Sequence, residues 1–132
     1  MLSDVAIARP AKDRQTPTEP TATDELTLSA GELRILPRSQ QLISPSRRVQ
    51  LTKREIDVLL TLVAQVDRVV RREDIYSSVW GGSMPYRDRA VDVYVRRIRS
   101  KLRAASPEFS YIHTHFAIGY RFLPQPHPMS DG

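Results

Sequence analysis

The hydrophobic pattern of this 132-residue chain changes at Thr52, and that change constrains the fold more than any other feature. Before it, pairs of apolar residues occur in four short runs separated by turn signals, which predicts four short antiparallel strands. These pairs are Leu26 and Leu28, Leu33 and Ile35, Leu42 and Ile43, and Val49 and Leu51. After it, Thr52 and Glu55 have the spacing of a helix-capping box, and apolar residues recur at helical intervals.

Three helices and a hairpin are predicted for the rest of the chain. The first helix follows Thr52 and ends near residues 65–67, and the second runs from Arg71 or Arg72 to the glycines at 81 and 82. The third covers residues 87–104, and Pro107 ends the helical region. Alternation over 109–114 and 118–123 predicts the two strands of a hairpin. The sequence therefore predicts an α+β fold.

The two ends of the chain are predicted to be disordered tails. Residues 1–23 hold three prolines and one short apolar stretch, and residues 124–132 hold three prolines and no apolar pattern. Such segments bury too little apolar surface to offset the entropy lost on ordering. One folded domain of about residues 24–123 remains, which is large enough for a single core.

Several classes of function are excluded or disfavoured. The chain has no cysteine, which excludes disulfides, thiolate zinc sites and cysteine nucleophiles. It has neither a membrane-length apolar run nor an export signal, so we expect a cytoplasmic protein without membrane contact. His113 and His115 share one face of a predicted strand but have no third ligand nearby, so we interpret them as surface residues. We expect no enzyme, metal or cofactor.

The third predicted helix carries most of the positive charge. Its apolar residues at 91, 95, 98 and 102 fall within one arc, and residues 89, 93, 96, 97 and 100 fall on the opposite side. A solvated helix face normally mixes charge signs, whereas this helix is almost entirely positive after Asp92. Arginine suits phosphate and guanine edges, so the pattern indicates binding to DNA or RNA. The basic residues are Arg87, Arg89, Arg96, Arg97, Arg99, Lys101 and Arg103.

A helix pair followed by a hairpin is the layout of a winged helix-turn-helix, whose second helix enters the major groove. Four stretches make the likeness specific, and together they resemble the OmpR/PhoB-type effector domain. They are LTKREIDVLL (51–60), RVVRREDI with VWG (68–75 and 79–81), RAVDVYVRRIRSKL (89–102) and IGYRF (118–122). The resemblance covers about residues 25–123.

This resemblance implies a winged helix-turn-helix with an N-terminal four-stranded antiparallel sheet, three helices and a C-terminal β-hairpin wing. It also implies sequence-specific binding of double-stranded promoter DNA by a bacterial response regulator of a two-component system, often as a tandem dimer on direct repeats. By analogy, Arg97 and Val93 contact bases. The implied phosphate contacts are Arg89, Arg96, Arg99, Arg72 and Trp80, with a core position favoured for Trp80.

Two loops, the wing and the connection between the second and third helices, carry further candidate contacts. The wing of the family usually carries a basic residue followed by glycine, whereas this chain has Phe116 and Ala117, preceded by His115. The arginine that the resemblance implies for the minor groove is therefore missing, and three roles stay open for Phe116: stacking on a sugar, shallow insertion, or packing against the sheet. Because alanine resists positive φ, we expect the hairpin to use a different turn. The loop between the second and third helices corresponds to a loop that can contact RNA polymerase. Its candidate contacts, Met84 and Tyr86, are either exposed for such a contact or folded back on the core.

Family members usually carry an N-terminal phosphoacceptor domain, and this chain has a short tail in its place. If Met1 is a native start, we expect no phosphorylation switch; if the chain is a fragment, the tail is the remnant of a linker. Two rival functions stay open: an architectural DNA-binding protein without sequence preference, and a winged helix that binds RNA polymerase or another regulator.

Overall fold

The first half of the fold is an antiparallel sheet. The computed structural model describes residues 5–8 and 27–127. The first five strands form one sheet in chain order, each strand pairing with the next. They are β1 (Val5–Ala8), β2 (Thr27–Ala30), β3 (Leu33–Leu36), β4 (Gln41–Ile43) and β5 (Arg48–Gln50). The four predicted strands are confirmed as β2–β5.

Strand β1 corrects the prediction that residues 1–23 are a disordered tail. Residues 5–8 pair antiparallel with β2, Val5 opposite Ala30 and Ala8 opposite Thr27. Four apolar residues give no strand signal on their own, and they form a strand here by pairing along the edge of β2. The remainder of the predicted N-terminal tail lies outside the described residues.

Three helices follow the first sheet: α1 (Lys53–Val63), α2 (Arg72–Trp80) and α3 (Ala90–Ala105). The capping box is confirmed, because the Glu55 N–H donates to Thr52 Oγ1 and the Thr52 N–H donates to the Glu55 carboxylate. Helix α1 ends earlier than predicted, and the chain then turns through Asp67, a residue type that tolerates its left-handed φ of 64°. Helix α3 begins three residues later than predicted, because Arg87 has φ 62° and cannot continue a right-handed helix.

The C-terminal hairpin is confirmed as β7 (Phe109–His115) and β8 (Gly119–Pro126), and a third strand, β6 (Val69–Arg71), joins it in the order β6-β8-β7. Strand β6 was not predicted. It approaches β8 so closely that a Cβ atom at Gly119 would lie 1.9 Å from the Val70 carbonyl oxygen. Only glycine fits where these two paired strands approach each other so closely.

Strand β8 also corrects the predicted C-terminal tail, which was placed at residues 124–132. Pro124 is buried, and the strand continues to Pro126. These prolines are tolerated because β6 pairs only with residues 119–121, so the later part of β8 has a partner on one side only. Residues 128–132 lie outside the described part of the chain.

The core lies between the first sheet, the three helices and the second sheet. Strands β3 and β4 contribute Leu33, Ile35 and Leu42, and β8 contributes Phe122, all fully buried. The predicted stripe of α3, residues 91, 95, 98 and 102, is buried as expected. Within the described ranges, no helix is long and apolar enough to cross a bilayer. Because one side of α3 is committed to the core, the opposite side faces outward.

Candidate nucleic-acid interface

The outward side of α3 carries the predicted base-contacting residues. Arg96 and Arg97 are exposed, and Val93 is half-buried one turn before Arg97. The Arg97 guanidinium lies 5.1 Å from the centroid of the Tyr94 ring. A cation–π contact of this kind holds the planar guanidinium in a restricted orientation. Arg97 therefore projects from the helix with its donors available to a ligand.

Arg89 also lies at this surface, just before the first turn of α3. Its side chain is 73% exposed, and its Nη1 atom is 4.0 Å from an oxygen of Asp92. Such a loose, exposed ion pair contributes little to stability. Arg89, Arg96 and Arg97 thus form a positively charged outer surface, which we call the arginine face.

Arg99 is placed differently from these three arginines. Its Nη2 atom donates to the Ile112 carbonyl oxygen at 2.9 Å and to Thr114 Oγ1 at 2.6 Å. Burial lowers the pKa of Arg99 from its ordinary value, although the residue stays charged at neutral pH. Arg99 therefore joins α3 to strand β7, and its predicted contact with phosphate stays a prediction.

Arg72 is likewise engaged inside the protein. Its Nε atom donates to Asp92 Oδ1 at 2.8 Å, and Tyr120 donates its hydroxyl proton to the same carboxylate oxygen. Burial raises the pKa of Asp92, but the hydrogen bonds from Tyr120 and Arg72 outweigh it, so the pKa is lowered overall. The hydrogen bond to Asp92 raises the pKa of Arg72. This network ties α2, α3 and β8 together.

The Tyr120 ring strengthens the same junction. The guanidinium carbons of Arg72 and Arg99 lie 5.2 Å and 5.6 Å from its centroid. Sequence reasoning identified both arginines but missed their partners, which are far away in the chain. We call Arg72, Asp92, Arg99 and Tyr120 the junction cluster.

Trp80 belongs to an aromatic group at the end of α2. Its ring stacks on Tyr76 at 5.1 Å and meets Tyr94 edge-on at 5.6 Å. It packs against the core, as the favoured interpretation predicted. The guanidinium carbon of Arg54, a residue that the sequence analysis did not single out, lies 5.2 Å from the centroid of the Trp80 ring. The available signal was Lys53-Arg54 in the first turn of α1, where positive charge opposes the helix dipole.

A buried ion pair anchors α3 from the other side. Lys101 Nζ lies 2.7 Å from Glu55 Oε1, and the Glu55 side chain is only 3% exposed. Burial raises the pKa of Glu55, but Lys101 and the Thr52 N–H outweigh it, so the pKa falls below its ordinary value. Lys101, counted above as a basic residue of the helix, thus has a structural partner.

The wing has an apolar tip. Phe116 is 85% exposed and Ile118 is 52% exposed. The Ile118 N–H donates to the His115 carbonyl oxygen at 2.9 Å, and Ala117 adopts φ 63°. The expectation that Ala117 would force a different turn is therefore wrong: the left-handed conformation is kept, because the closing hydrogen bond and the two paired strands hold it.

The two strand histidines already have protein partners. His113 Nε2 lies 2.8 Å from the Leu123 carbonyl oxygen. His115 Nε2 accepts from Arg121 Nε at 3.2 Å. They therefore serve the hairpin, and His115 is oriented along the strand rather than toward the tip.

The loop between α2 and α3 presents Tyr86 to solvent, with 87% of the residue exposed. The Arg87 guanidinium lies 5.3 Å from its ring centroid. Met84 is only half-exposed. Of the two alternatives, an exposed contact and a side chain folded back on the core, Tyr86 adopts the exposed one.

Two helices with an outward arginine face on the second, joined by the junction cluster to a protruding hairpin, define a winged helix-turn-helix domain of the DNA-binding class. The chain belongs to the family described as "Transcriptional regulatory protein, C terminal", which matches residues 46–122. The resemblance to OmpR/PhoB-type domains is therefore confirmed. The family is one of transcription regulators and not of enzymes.

Individual relatives agree with this membership. The chain is 40% identical over 70 residues to the transcriptional regulatory protein CreB of Escherichia coli, covering 53% of this chain and 31% of CreB. It is 33% identical over 99 residues to the response regulator MprA of Mycobacterium ulcerans, covering 75% of this chain and 42% of MprA. The alignments thus span about a third to two fifths of these relatives.

A solved structure shares the fold. The DNA-binding domain of Klebsiella pneumoniae RstA, in complex with the RstA box, matches with a TM-score of 0.66 and 30% identity. The match covers 75% of this chain and 98% of the RstA domain. The described part of this chain therefore corresponds to a complete domain of this type.

Proposed function

We propose that this chain binds double-stranded DNA in a sequence-specific manner as the DNA-binding part of a transcription regulator, with α3 in the major groove. The observation that carries the proposal is the division of α3 into a fully buried apolar stripe and an exposed arginine face. A helix of this kind fits the major groove and presents donors to base edges and phosphates. RstA, a relative of the same fold, was solved with its DNA box.

We assign base contacts to Arg97 and Val93. Arg97 projects from the middle of the exposed side, and a guanidinium makes a bidentate pair with guanine. Val93 lies one turn earlier and offers an apolar surface to a thymine methyl group. Arg89 and Arg96 flank them and are assigned to phosphates. We also assign phosphate contacts to Trp80, Arg72 and Arg99, made while these residues keep their protein partners.

The first experiment selects duplexes from a random library with the purified chain and sequences the survivors. A motif of about one helical turn, single or repeated head to tail, supports sequence-specific regulation. Enrichment without a motif favours the architectural alternative. No enrichment, or an affinity that ignores salt, favours the protein-interaction alternative, because neutralising several phosphates makes binding strongly salt-dependent.

The Arg97→Ala variant tests the base contact directly. We expect a loss of about 1–3 kcal/mol in binding free energy on the selected duplex, and a weaker sequence preference at one base position. Arg34→Ala is the matched control, because it removes the same charge from the exposed side of β3. If Arg97→Ala weakens binding equally on every DNA sequence, Arg97 contacts phosphate and not a base. If Arg97→Ala and Arg34→Ala weaken binding equally, the effect of Arg97 is one of net charge only.

We further propose that the loop carrying Met84 and Tyr86 contacts RNA polymerase, and that two protomers bind tandem direct repeats in the cytoplasm. The exposure of Tyr86 supports the loop assignment. A Tyr86→Ala protein that binds DNA normally but fails to activate transcription would support polymerase contact.

Footprints one helical turn long, without any longer protection at high protein concentration, would argue against the tandem arrangement.

A further inference from the structure

The tip of the wing is unusual in its chemistry. The residues from Thr114 to Ile118 include no arginine or lysine, and Phe116 and Ile118 are the large side chains that reach solvent there. A single exposed apolar residue needs no explanation, but two that flank a left-handed alanine form a small apolar point on a hairpin. This tip cannot make the arginine contact that the family resemblance implies for a wing.

The tip is held in one conformation. The His115–Ile118 turn is closed by a hydrogen bond of 2.9 Å, and the Arg72 N–H donates to the Ile118 carbonyl oxygen at 3.3 Å. Gly119, directly after the turn, is locked against the Val70 backbone. Phe116 is therefore presented on a rigid support, so that little additional backbone entropy is lost when it meets a ligand.

The same hairpin is fastened to the recognition helix. Arg99 bridges α3 to Ile112 and Thr114 near the end of β7, and the Asp92–Tyr120 hydrogen bond joins the first turn of α3 to β8. Arg96 lies one turn before Arg99 on the neighbouring helix surface. The wing tip thus projects beside the N-terminal half of α3, next to the arginine face. With α3 in the major groove, the adjacent minor groove is the surface within its reach.

We propose that Phe116 enters this minor groove as an apolar wedge that partly unstacks one base step and bends the duplex, an inference that rests on the proposed DNA binding. Inserted phenylalanine and isoleucine side chains are known to kink DNA by about 20–90°. Duplex DNA fits this tip better than a protein partner, because the tip shares a rigid body with the arginine face, whose positive potential attracts a polyanion.

The test uses the full chain and the duplex selected above, with dyes at the duplex ends to report bending by energy transfer. Affinity is measured for Phe116→Ala, Phe116→Leu and Phe116→Arg across a salt series. Val69→Ala is the control, because Val69 is another partly exposed apolar residue, on β6 and away from the tip. Phe116 is almost fully exposed, so folding should be unaffected, and circular dichroism checks this.

We expect Phe116→Ala to bind about tenfold more weakly and to bend DNA less, with an unchanged dependence of affinity on salt. Phe116→Leu should retain most of the bend. Phe116→Arg should recover affinity with little bend and a salt slope steeper by about one, because an added phosphate contact releases counterions.

Three results would overturn the wedge. The first is a Phe116→Ala protein with the affinity and bend of the parent; the second is a shallower salt slope in that variant. The third is normal DNA binding and bending with lost transcription, which would assign the tip to a protein partner. In each case the parent protein still binds its duplex with steep salt dependence, whereas failure of the proposed function would abolish that binding itself.

Discussion

Replacing Lys101 by methionine should destabilise the domain far more than the loss of a surface charge. Lys101 Nζ lies 2.7 Å from a Glu55 carboxylate whose side chain is 3% exposed, while 33% of the Lys101 side chain remains exposed. Methionine matches the aliphatic stem and removes only the ammonium group. The variant therefore isolates what happens when a buried carboxylate loses its cation.

The magnitude follows from what Glu55 keeps. Without Lys101, the carboxylate retains the Thr52 N–H at 2.9 Å. Breaking a buried pair from one side costs about 3–5 kcal/mol, and partial access of water near Lys101 reduces this to about 2–3 kcal/mol. In a domain of this size, that corresponds to a fall in Tm of about 10–20 °C. Adding Glu55→Gln removes the orphaned charge and should bring the total loss to about 1 kcal/mol.

The assay is urea and thermal unfolding of the parent, the two single variants and the double variant, followed by circular dichroism. The double-mutant cycle should give a coupling of at least about 1–2 kcal/mol, which is the excess of the Lys101→Met loss over the loss in the double variant, plus the cost of Glu55→Gln alone, because each single variant strands a partner that the double variant does not. A Lys101→Met protein within about 0.5 kcal/mol of the parent, or strictly additive single effects, would refute the reasoning.

Three further outcomes are expected. Because the pKa of Glu55 is lowered in the folded state from its ordinary value of 4.5, its stabilising contribution is present above that pH and is lost as the pH falls through the folded value. Unfolding free energies measured from pH 7 downward should therefore decline less steeply for Glu55→Gln, part of the slope remaining with Asp92; parallel curves would contradict this. Ala117→Gly should stabilise the domain by about 0.5–1 kcal/mol, since relief of the left-handed alanine outweighs the extra freedom of unfolded glycine, and an unchanged or lower Tm would show that the turn is unstrained. Gly119→Ala should cost about 3 kcal/mol, because its Cβ would lie 1.9 Å from the Val70 carbonyl oxygen, and a Tm equal to that of the parent would contradict the close crossing.

The long helices and the hairpin were predictable because many residues in each follow one hydrophobic period. The buried stripe of α3 and the capping box of α1 are local patterns, and both are confirmed. Strands β1 and β6 have four and three residues. Their sequences, VAIA and VVR, show no apolar–polar alternation, and each segment pairs along the edge of a neighbouring strand.

The candidate site divides in the same way. The exposed residues of α3 could be identified from helical geometry alone. The fate of Arg72 and Arg99 could not, because Asp92, Tyr120 and Ile112 approach them only after the helices and the hairpin have packed. Composition counts these arginines equally with Arg96 and Arg97, although they hold the scaffold together. The turn at Ala117 was mispredicted because closure of the hairpin outweighs the preference of alanine for negative φ.

The division of α3 also bears on how such a domain can diversify. The residues that hold it in place face the core or the junction cluster, whereas Arg96 and Arg97 are exposed. Substitutions at these two positions can therefore accumulate at small thermodynamic cost. Gene duplication followed by drift could then produce sister domains that recognise different operators from an unchanged framework, and the same independence makes these positions suitable for randomised libraries.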